Sequence, residues 1–389
     1  MRSLERGRPI RSSGVRPLRV AVDVTPLLGQ PTGVGAFCAG VLEGLADRQQ
    51  LIVSAFAVSW RRRDQIVDKV PEGVTTFQRA MPARPLHQAW RWSDHPSIER
   101  FIGHVDVVHG TNFVVAPTKR AARVVTVHDL TPVRFPELCD SSSLMYPALV
   151  RRALRDGAWV HTHSEYVAEE VVDVLGADPE RVRWVHSGIP VMPEGDPSAA
   201  RRFLPHGMSR FVLAIGTIEP RKDLPNLVRA FDAIADQHEG LALLLAGPAG
   251  WGSVEVSDVV ERAHHRSRIV MTGWVDESTL AGLLRSASVL AYPSVYEGFG
   301  FPPLQAMAAD VPVVATRAGS LPEVLGDAAS LVPVGDSAAL AEALSNVLES
   351  EDVRSQLVAR GRENVERFSW SQCAAGLEQL YRSAVSTDS

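Results

Sequence analysis

The stretch "YPSVYEGFGFPPLQAMAADVPVVAT" (292–316) decides how this chain is read. A short β-branched and aromatic run, "SVLAYPS", ends just before Glu297, which is followed at once by Gly298-Phe299-Gly300 and then by Pro302-Pro303. The pattern predicts a buried strand, a loop carrying a carboxylate at the strand's carboxyl end, and a helix opened by prolines whose missing N–H is harmless in the first turn. Glycines let backbone approach a ligand closely, and the N–H groups of a helix start favour an anion. Taken alone, the same turn can be only a glycine-rich strand-to-helix connection. Eight residues after Glu297, where a second carboxylate would complete the pattern, stands Gln305.

Working outward, the same rhythm recurs. "LAIGTIEPRKDLPNLVRAF" places Gly216 and Thr217 at another strand end, with Glu219, Arg221 and Lys222 before the next helix. Two adjacent cations at a strand mouth suit a diphosphate, since charge-assisted hydrogen bonds are worth roughly 1.5–3 kcal/mol each. The alternative, a solvated basic pair, is less comfortable there because the helix dipole disfavours cations at its start. Further strand patterns are "RFVLAIGT", "LALLLAG", "RIVMTG", "VPVVAT" and "ASLVPV" in the second half, and "LRVAVDV", "LIVSAFAV", "VDVVH", "ARVVTVH" and "GAWVHTHS" in the first. Apolar runs alternating with helix-length segments predict parallel sheets covered on both faces. The fold class expected is α/β, with two doubly wound Rossmann-like domains and a cleft between the carboxyl ends of their strands, where ligands of such sheets bind. The expected boundaries are a disordered basic tail at 1–17, a first domain at 18–190, a Pro/Gly/Ser-rich linker at 191–202, a second domain at 203–370, and a final helix at 371–389.

Composition agrees with an ordinary globular enzyme: 389 residues, 45% hydrophobic and 22% charged, with a net charge of −5. That balance lacks the basic footprint of a nucleic-acid binder. Three cysteines far apart in sequence predict neither a disulfide framework nor a zinc site, so a reducing compartment such as the cytoplasm is expected. No apolar run is long enough for a membrane span, and the first residues lack the apolar core of a secretory signal.

Other motifs are weaker. "TGVGAFCAG" mimics a dinucleotide fingerprint but has Cys38 where the third glycine belongs. His161 and His163 in "VHTHSEYV" stand two apart on a strand with no companion cluster, which favours structural histidines over metal ligands. His109, opening "HGTNF", is left open between the two roles. "RPLHQAWRWSDHPSIERF" (84–101) could dock on a membrane or pack as an amphipathic helix with its Trp residues in the core; interleaved acids favour packing.

The ordered set "TGVGAF" (32–37), "HGTNF" (109–113), "VTVHDLTP" (125–132), "GTIEPRKDL" (216–224), "TGWVDESTL" (272–280), "YEGFGFPPLQAMA" (296–308) and "AGSLPEV" (318–324) resembles the retaining family-4 glycosyltransferases of GT-B fold. Each motif is weak alone; their order and spacing over nearly the whole chain after residue 18 are specific. The resemblance implies that the final helix crosses back to the first domain, and that Arg221 and Lys222 hold the diphosphate of a nucleotide-sugar donor. It implies that Glu297 and the backbone of Phe299 and Gly300 contact the donor sugar and nearby phosphate, and that Gln305 takes the place of the family's ribose-binding Glu. Trp274 and Val275 would border the base, Gly33 and Gly35 would bring the first domain's backbone to the phosphates and sugar, and His128 would face sugar and acceptor. It further implies a reaction without a catalytic metal, no cofactor beyond the donor (GDP-mannose as the first expectation), a saccharide or lipid-linked acceptor, and peripheral contact with the inner face of a membrane. A non-catalytic sugar- or partner-binding subunit would show a decayed phosphate site. A GT-B nucleotide-sugar epimerase would release product without an acceptor.

Overall fold

The computed structural model describes residues 16–387 apart from 30, 31, 91, 142 and 197; the basic tail expected at 1–17 falls almost wholly outside them. Two parallel sheets are present. The first contains β1 (Leu18–Asp23), β2 (Leu51–Phe56), β3 (Thr75–Phe77), β4 (Val107–Gly110), β5 (Ala122–Val127), β6 (Trp159–Thr162) and β7 (Val182–Trp184), in the order β3-β2-β1-β4-β5-β6-β7. The second contains β8 (Arg210–Ile215), β9 (Leu241–Ala246), β10 (Ile269–Gly273), β11 (Val289–Tyr292), β12 (Val313–Thr316) and β13 (Ser330–Val332), in the order β10-β9-β8-β11-β12-β13. Both orders reverse direction in the middle, between β1 and β4 and between β8 and β11. The switch points that create ligand crevices in such sheets therefore fall at the ends of β1/β4 and β8/β11.

The strands form because both faces are covered. All six residues of β9, "LALLLA", are buried, as are all four of β11, "VLAY". Such uninterrupted apolar runs are the mark of a parallel sheet between helical layers. β8 pairs in register with β9 through Val212–Leu243 and Leu213–Leu244, which aligns the ends of both strands and sets Gly216 beside Gly247. The two short edge strands of the first sheet, β3 and β7, escape the sequence pattern, because three residues of mixed exposure carry no periodic signal.

The last helix, Trp370–Thr387, packs on the first sheet, where Cys373, Leu377, Leu380, Tyr381 and Ala384 join Val20, Val22, Phe37 and Val41 in one core. Trp370 is seated by the absence of a side chain at Gly40: a Cβ there would lie 2.0 Å from the indole ring. A helix Ala199–Phe203 starts inside the segment read as linker. The segment 84–101 is corrected more substantially. It is not one amphipathic helix but a helix Ala83–Trp90, a break, and a short helix Glu99–Ile102. Trp90 is buried, with its indole N–H bonded to Pro96 O at 2.9 Å, whereas Trp92 is 80% exposed. Pro96 lies between the two helical pieces and cannot continue the backbone hydrogen-bond ladder.

Candidate functional site

The site forms where the strand ends of the two sheets face each other. On the second sheet, β8 ends at Gly216-Thr217, followed by a 3-10 turn Pro220–Lys222 that carries both cations inward. β11 ends at Tyr292, and Glu297 follows in the next loop. Glu297 sits between the cations: one oxygen lies 2.6 Å from Lys222 Nζ, the other 2.7 Å from an Arg221 guanidinium nitrogen. Arg221 also pairs with Glu219 at 2.6 Å and donates to Tyr296 O at 2.9 Å. Lys222, only 9% exposed, donates to Tyr292 Oη at 2.8 Å and lies over that ring at 4.6 Å.

These four charges balance, two cations against two carboxylates. Burial works to raise the Glu297 pKa, but Arg221 and then Lys222 outweigh it and hold the carboxyl down at about 2. Burial is the largest influence on Lys222 and pulls its pKa down, with Glu297 opposing and Arg221 adding to the fall. Arg221 is held above its usual range, because Glu297 and Glu219 overcome its desolvation. The pair is not solvated: Lys222 is buried, Arg221 is largely so, and both are ion-paired.

Helix Phe301–Ala308 begins directly after this loop, with Gly300 as its N-cap at φ +100 and prolines in its first turn. Gln305 occupies its second turn, partly exposed, with no side-chain hydrogen bond among the described residues. Phe299 turns its ring inward, against His163, His186 and Phe368. Trp274 and Val275 follow β10, and Trp274 is 58% exposed. They lie two strands from β8, whereas the charge cluster sits at β8 and β11 themselves.

The first sheet meets this loop at close range. The Gly298 Cα packs against the His128 carbonyl so tightly that a Cβ there would lie 1.8 Å from that oxygen. Gly33 opens helix Gly33–Ala46, with Thr32 as N-cap accepting from Gly35 N at 3.1 Å, and a Cβ at Gly33 would lie 3.7 Å from the Phe301 ring. Sequence reasoning missed the contacts that hold the two halves together. Ser164 Oγ donates to Gly298 O at 3.0 Å. Glu323 accepts from the backbone N–H groups of Glu165 and Tyr166 at 2.9 and 3.0 Å, capping a helix start of the opposite half, and from His186 at 3.1 Å. Tyr296 Oη accepts from Leu130 N at 3.0 Å and donates to Glu170, itself paired with Arg134 at 2.8 Å. The hint in the sequence was "AGSLPEV" itself, whose Glu stands in the first turn of a helix (Leu321–Leu325) and reaches across to a second one.

His128 belongs to a neutral network whose proton positions follow from the partners. Its Nε2 faces Thr111 O at 2.8 Å and must donate, so its Nδ1 accepts from His163 Nε2 at 2.7 Å. His163 Nδ1 then accepts from Ser187 Oγ at 2.8 Å. Likewise His161 donates from Nε2 to Val185 O at 3.1 Å and accepts at Nδ1 from Thr126 Oγ at 3.0 Å. Thr126 accepts from His109 Nε2 at 2.8 Å, and His109 Nδ1 accepts from Tyr381 Oη of the last helix at 2.7 Å. Every ring nitrogen is used, and desolvation holds His128 and His161 down at about 4 and His109 and His163 well below their ordinary range. His109 and His161 are thus structural. Among the described residues no group of three or more His, Cys, Asp or Glu could hold a metal ion.

Two facing doubly wound parallel sheets, each with a switch point in its middle, form a GT-B fold. The profile "Glycosyltransferase Family 4" matches residues 31–191 and "Glycosyl transferases group 1" matches 198–364. The chain belongs to this glycosyltransferase family. It is 28% identical over 306 residues, 77% of each chain, to the O-antigen chain mannosyltransferase B of Escherichia coli. It is 29% identical over 73% of its length, and 71% of the relative's, to a D-inositol 3-phosphate glycosyltransferase of Saccharomonospora viridis. The sucrose-phosphate synthase structure from Thermosynechococcus elongatus superposes with a TM-score of 0.75 at 20% identity, covering 96% of this chain and all of that one. No helix among the described residues is long and apolar enough to cross a membrane.

Proposed function

We propose that this glycosyltransferase moves a hexose, mannose first, from a nucleoside-diphosphate sugar to a saccharide or lipid-linked saccharide with retention of anomeric configuration. The observation that carries the reading is the Arg221–Glu297–Lys222 cluster at the β8/β11 switch point. As the sugar C1–oxygen bond breaks, its electron pair passes to the departing diphosphate, and negative charge grows there. Fixed cations stabilise such charge without reorganising. Arg221 and Lys222 fill that role when the diphosphate competes with Glu297 and Glu219 for them, so the proposal requires no metal ion. Glu297, ionised through the neutral pH range, positions the sugar hydroxyls and is not a base. The acceptor oxygen attacks C1 from the face the diphosphate leaves, and its proton passes to a leaving phosphate oxygen.

The other roles are those that the family resemblance implies. The Gly33–Gly35 helix start and the backbone of Phe299 and Gly300 line the donor from opposite sides, with Gly216 and Thr217 beneath the diphosphate. Gln305 binds the ribose diol, and Trp274 and Val275 border the base. His128, with both ring nitrogens bonded, contributes a fixed position and its backbone carbonyl, not proton transfer. Mannose and a polysaccharide acceptor are supported by the E. coli relative's name, and the S. viridis relative's name offers inositol phosphate as the competing acceptor class.

The test is incubation with GDP-mannose, UDP-glucose and UDP-N-acetylglucosamine in the presence of mannose oligosaccharides or inositol 3-phosphate. Release of the nucleoside diphosphate is followed, and the product's anomeric coupling is read by NMR. GDP release with an α-linked mannoside is expected. A β-linked product would overturn retention, and turnover with UDP-glucose alone would overturn mannose.

A further inference from the structure

A cavity of about 370 Å³ opens where the chain leaves the first sheet and where the last helix returns to it. One wall is edge strand β7 and the turn after it, with Arg183 and Trp184 from the strand and His186 from the turn; the other is one face of helix Trp370–Thr387, with Gln372, Gln379 and Ser383. Arg367 closes one end. None of Arg221, Lys222 and Glu297 lines it, so it is separate from the site described above. Its size falls within the roughly 300–1,000 Å³ of small-molecule sites.

Three features of the lining point in one direction. Trp184 is 44% exposed, and its ring stands 5.0 Å from that of His186, an aromatic wall of the kind that takes the apolar C–H face of a pyranose. Gln372, Gln379 and Ser383 are spaced by seven and four residues, so they share a helix face. The amides of both glutamines and the Trp184 indole N–H make no hydrogen bond among the described residues. The formally charged residues of the lining are both arginines, and neither has a carboxylate within salt-bridge distance among the described residues. Arg183 donates to Val182 O at 2.7 Å and lies 5.4 Å from the centre of the Trp159 ring; Arg367 donates to Asn364 Oδ1 at 2.9 Å and lies 5.0 Å from that of Phe368. Each guanidinium is thereby oriented by neutral partners and keeps further N–H groups free for an anion.

We propose that this cavity binds an acidic saccharide, a pyranose carrying a carboxylate or a phosphate, at the crossover between the two halves. The ring stacks on Trp184, the hydroxyls meet Gln372, Gln379 and Ser383, and the anionic group lies between Arg183 and Arg367. His186 links the cavity to the cleft, since it bonds Glu323 and its ring lies 6.1 Å from that of Phe299.

The test is calorimetric titration of the full chain with trigalacturonate, mannose 6-phosphate, mannotriose and inorganic phosphate. Binding of trigalacturonate or mannose 6-phosphate is expected, and which of the two binds tells carboxylate from phosphate. Affinity should fall about tenfold or more in Arg183→Ala/Arg367→Ala and in Trp184→Ala, since each removes charge-assisted or stacking contacts. Nucleoside diphosphate binding, measured in the same variants, should be unchanged, so this proposal and the donor assignment stand or fall separately. The proposal is overturned if neither acidic saccharide binds, if mannotriose binds as tightly, if inorganic phosphate binds as tightly, or if the variants bind like the parent.

Discussion

Two buried polar clusters face each other across the cleft, and they solve the problem of burial in opposite ways. The second sheet presents Arg221, Lys222, Glu219 and Glu297 as charges balanced against one another. The first presents His109, His128, His161 and His163 as neutral rings with every nitrogen bonded. Buried charges are tolerated when paired, and buried histidines when uncharged. The charged cluster can exchange partners for a ligand of matching charge, whereas the neutral one has no vacancy and can only hold its shape. In the proposed reaction that difference gives the chemistry to one half and the positioning to the other.

Breaking the charged side should have the largest effect. Glu297→Ala leaves two buried cations short of a partner, and removing one member of a buried ion pair costs about 3–5 kcal/mol. Chemical denaturation should show a loss of that order. Glu297→Gln should be milder in stability and revealing in function, with the nucleoside diphosphate bound more tightly because its cations are released, and transfer slowed. Weaker diphosphate binding by that variant would mean that Glu297 does not compete for the cations.

The contact between the halves comes next. In Gly298→Ala a methyl group would fall 1.8 Å from the His128 carbonyl, so the two halves must separate. A displacement of about 1 Å at a reacting centre lowers turnover on the order of a hundredfold. The expected result is a large fall in kcat with little change in melting temperature; parent-like kcat would show that the halves need not meet there.

Acid separates the two clusters without mutation. The histidines have folded pKa values below their unfolded one, so the unfolded chain binds more protons as pH falls. Stability is full above about pH 6.5 and declines towards about pH 4, on the order of 1.4 kcal/mol per pH unit for each histidine. Glu297 acts in a lower window, since its folded pKa of about 2 against 4.5 makes its contribution fade only below about pH 4.5. A melting-temperature profile in His161→Asn should be flatter between pH 6.5 and 4 and unaltered in slope below that. An unchanged upper limb would contradict the neutral network.

The smallest expected effect is at Gln305→Glu. A charged acceptor bonds the ribose diol more strongly than an amide by about 1 kcal/mol, so nucleotide affinity should rise roughly five-fold by calorimetry. Weaker binding would remove Gln305 from the ribose site.

What the sequence made legible follows from what is local. Apolar runs such as "LALLLAG" and "RFVLAIGT" announced β9 and β8 because a strand buried on both faces needs no partner to be recognised. Glu297, Arg221 and Lys222 could be singled out as candidates because each stands within a few residues of a strand end and the spacing of motifs was specific. Their mutual pairing was not legible, because 75 residues separate Lys222 from Glu297 and only the β8–β11 adjacency joins them. For the same reason the Glu323 cap on the opposite half's helix and the Tyr381–His109 bond, 272 residues apart, lay beyond sequence reasoning. The segment 84–101 shows the reverse failure, where a plausible helical pattern is interrupted between Trp90 and Glu99, a stretch that contains Pro96.

The central claim is that Arg221 and Lys222 receive the diphosphate of the donor. The most direct measurement is calorimetric titration with UDP, GDP, ADP and dTDP of the parent and of Arg221→Ala/Lys222→Ala, with the variant's fold checked by circular dichroism. Selective binding of one nucleoside diphosphate, lost in the folded variant, is the result this account predicts. Binding of none by the parent, or equal binding by the variant, would contradict it.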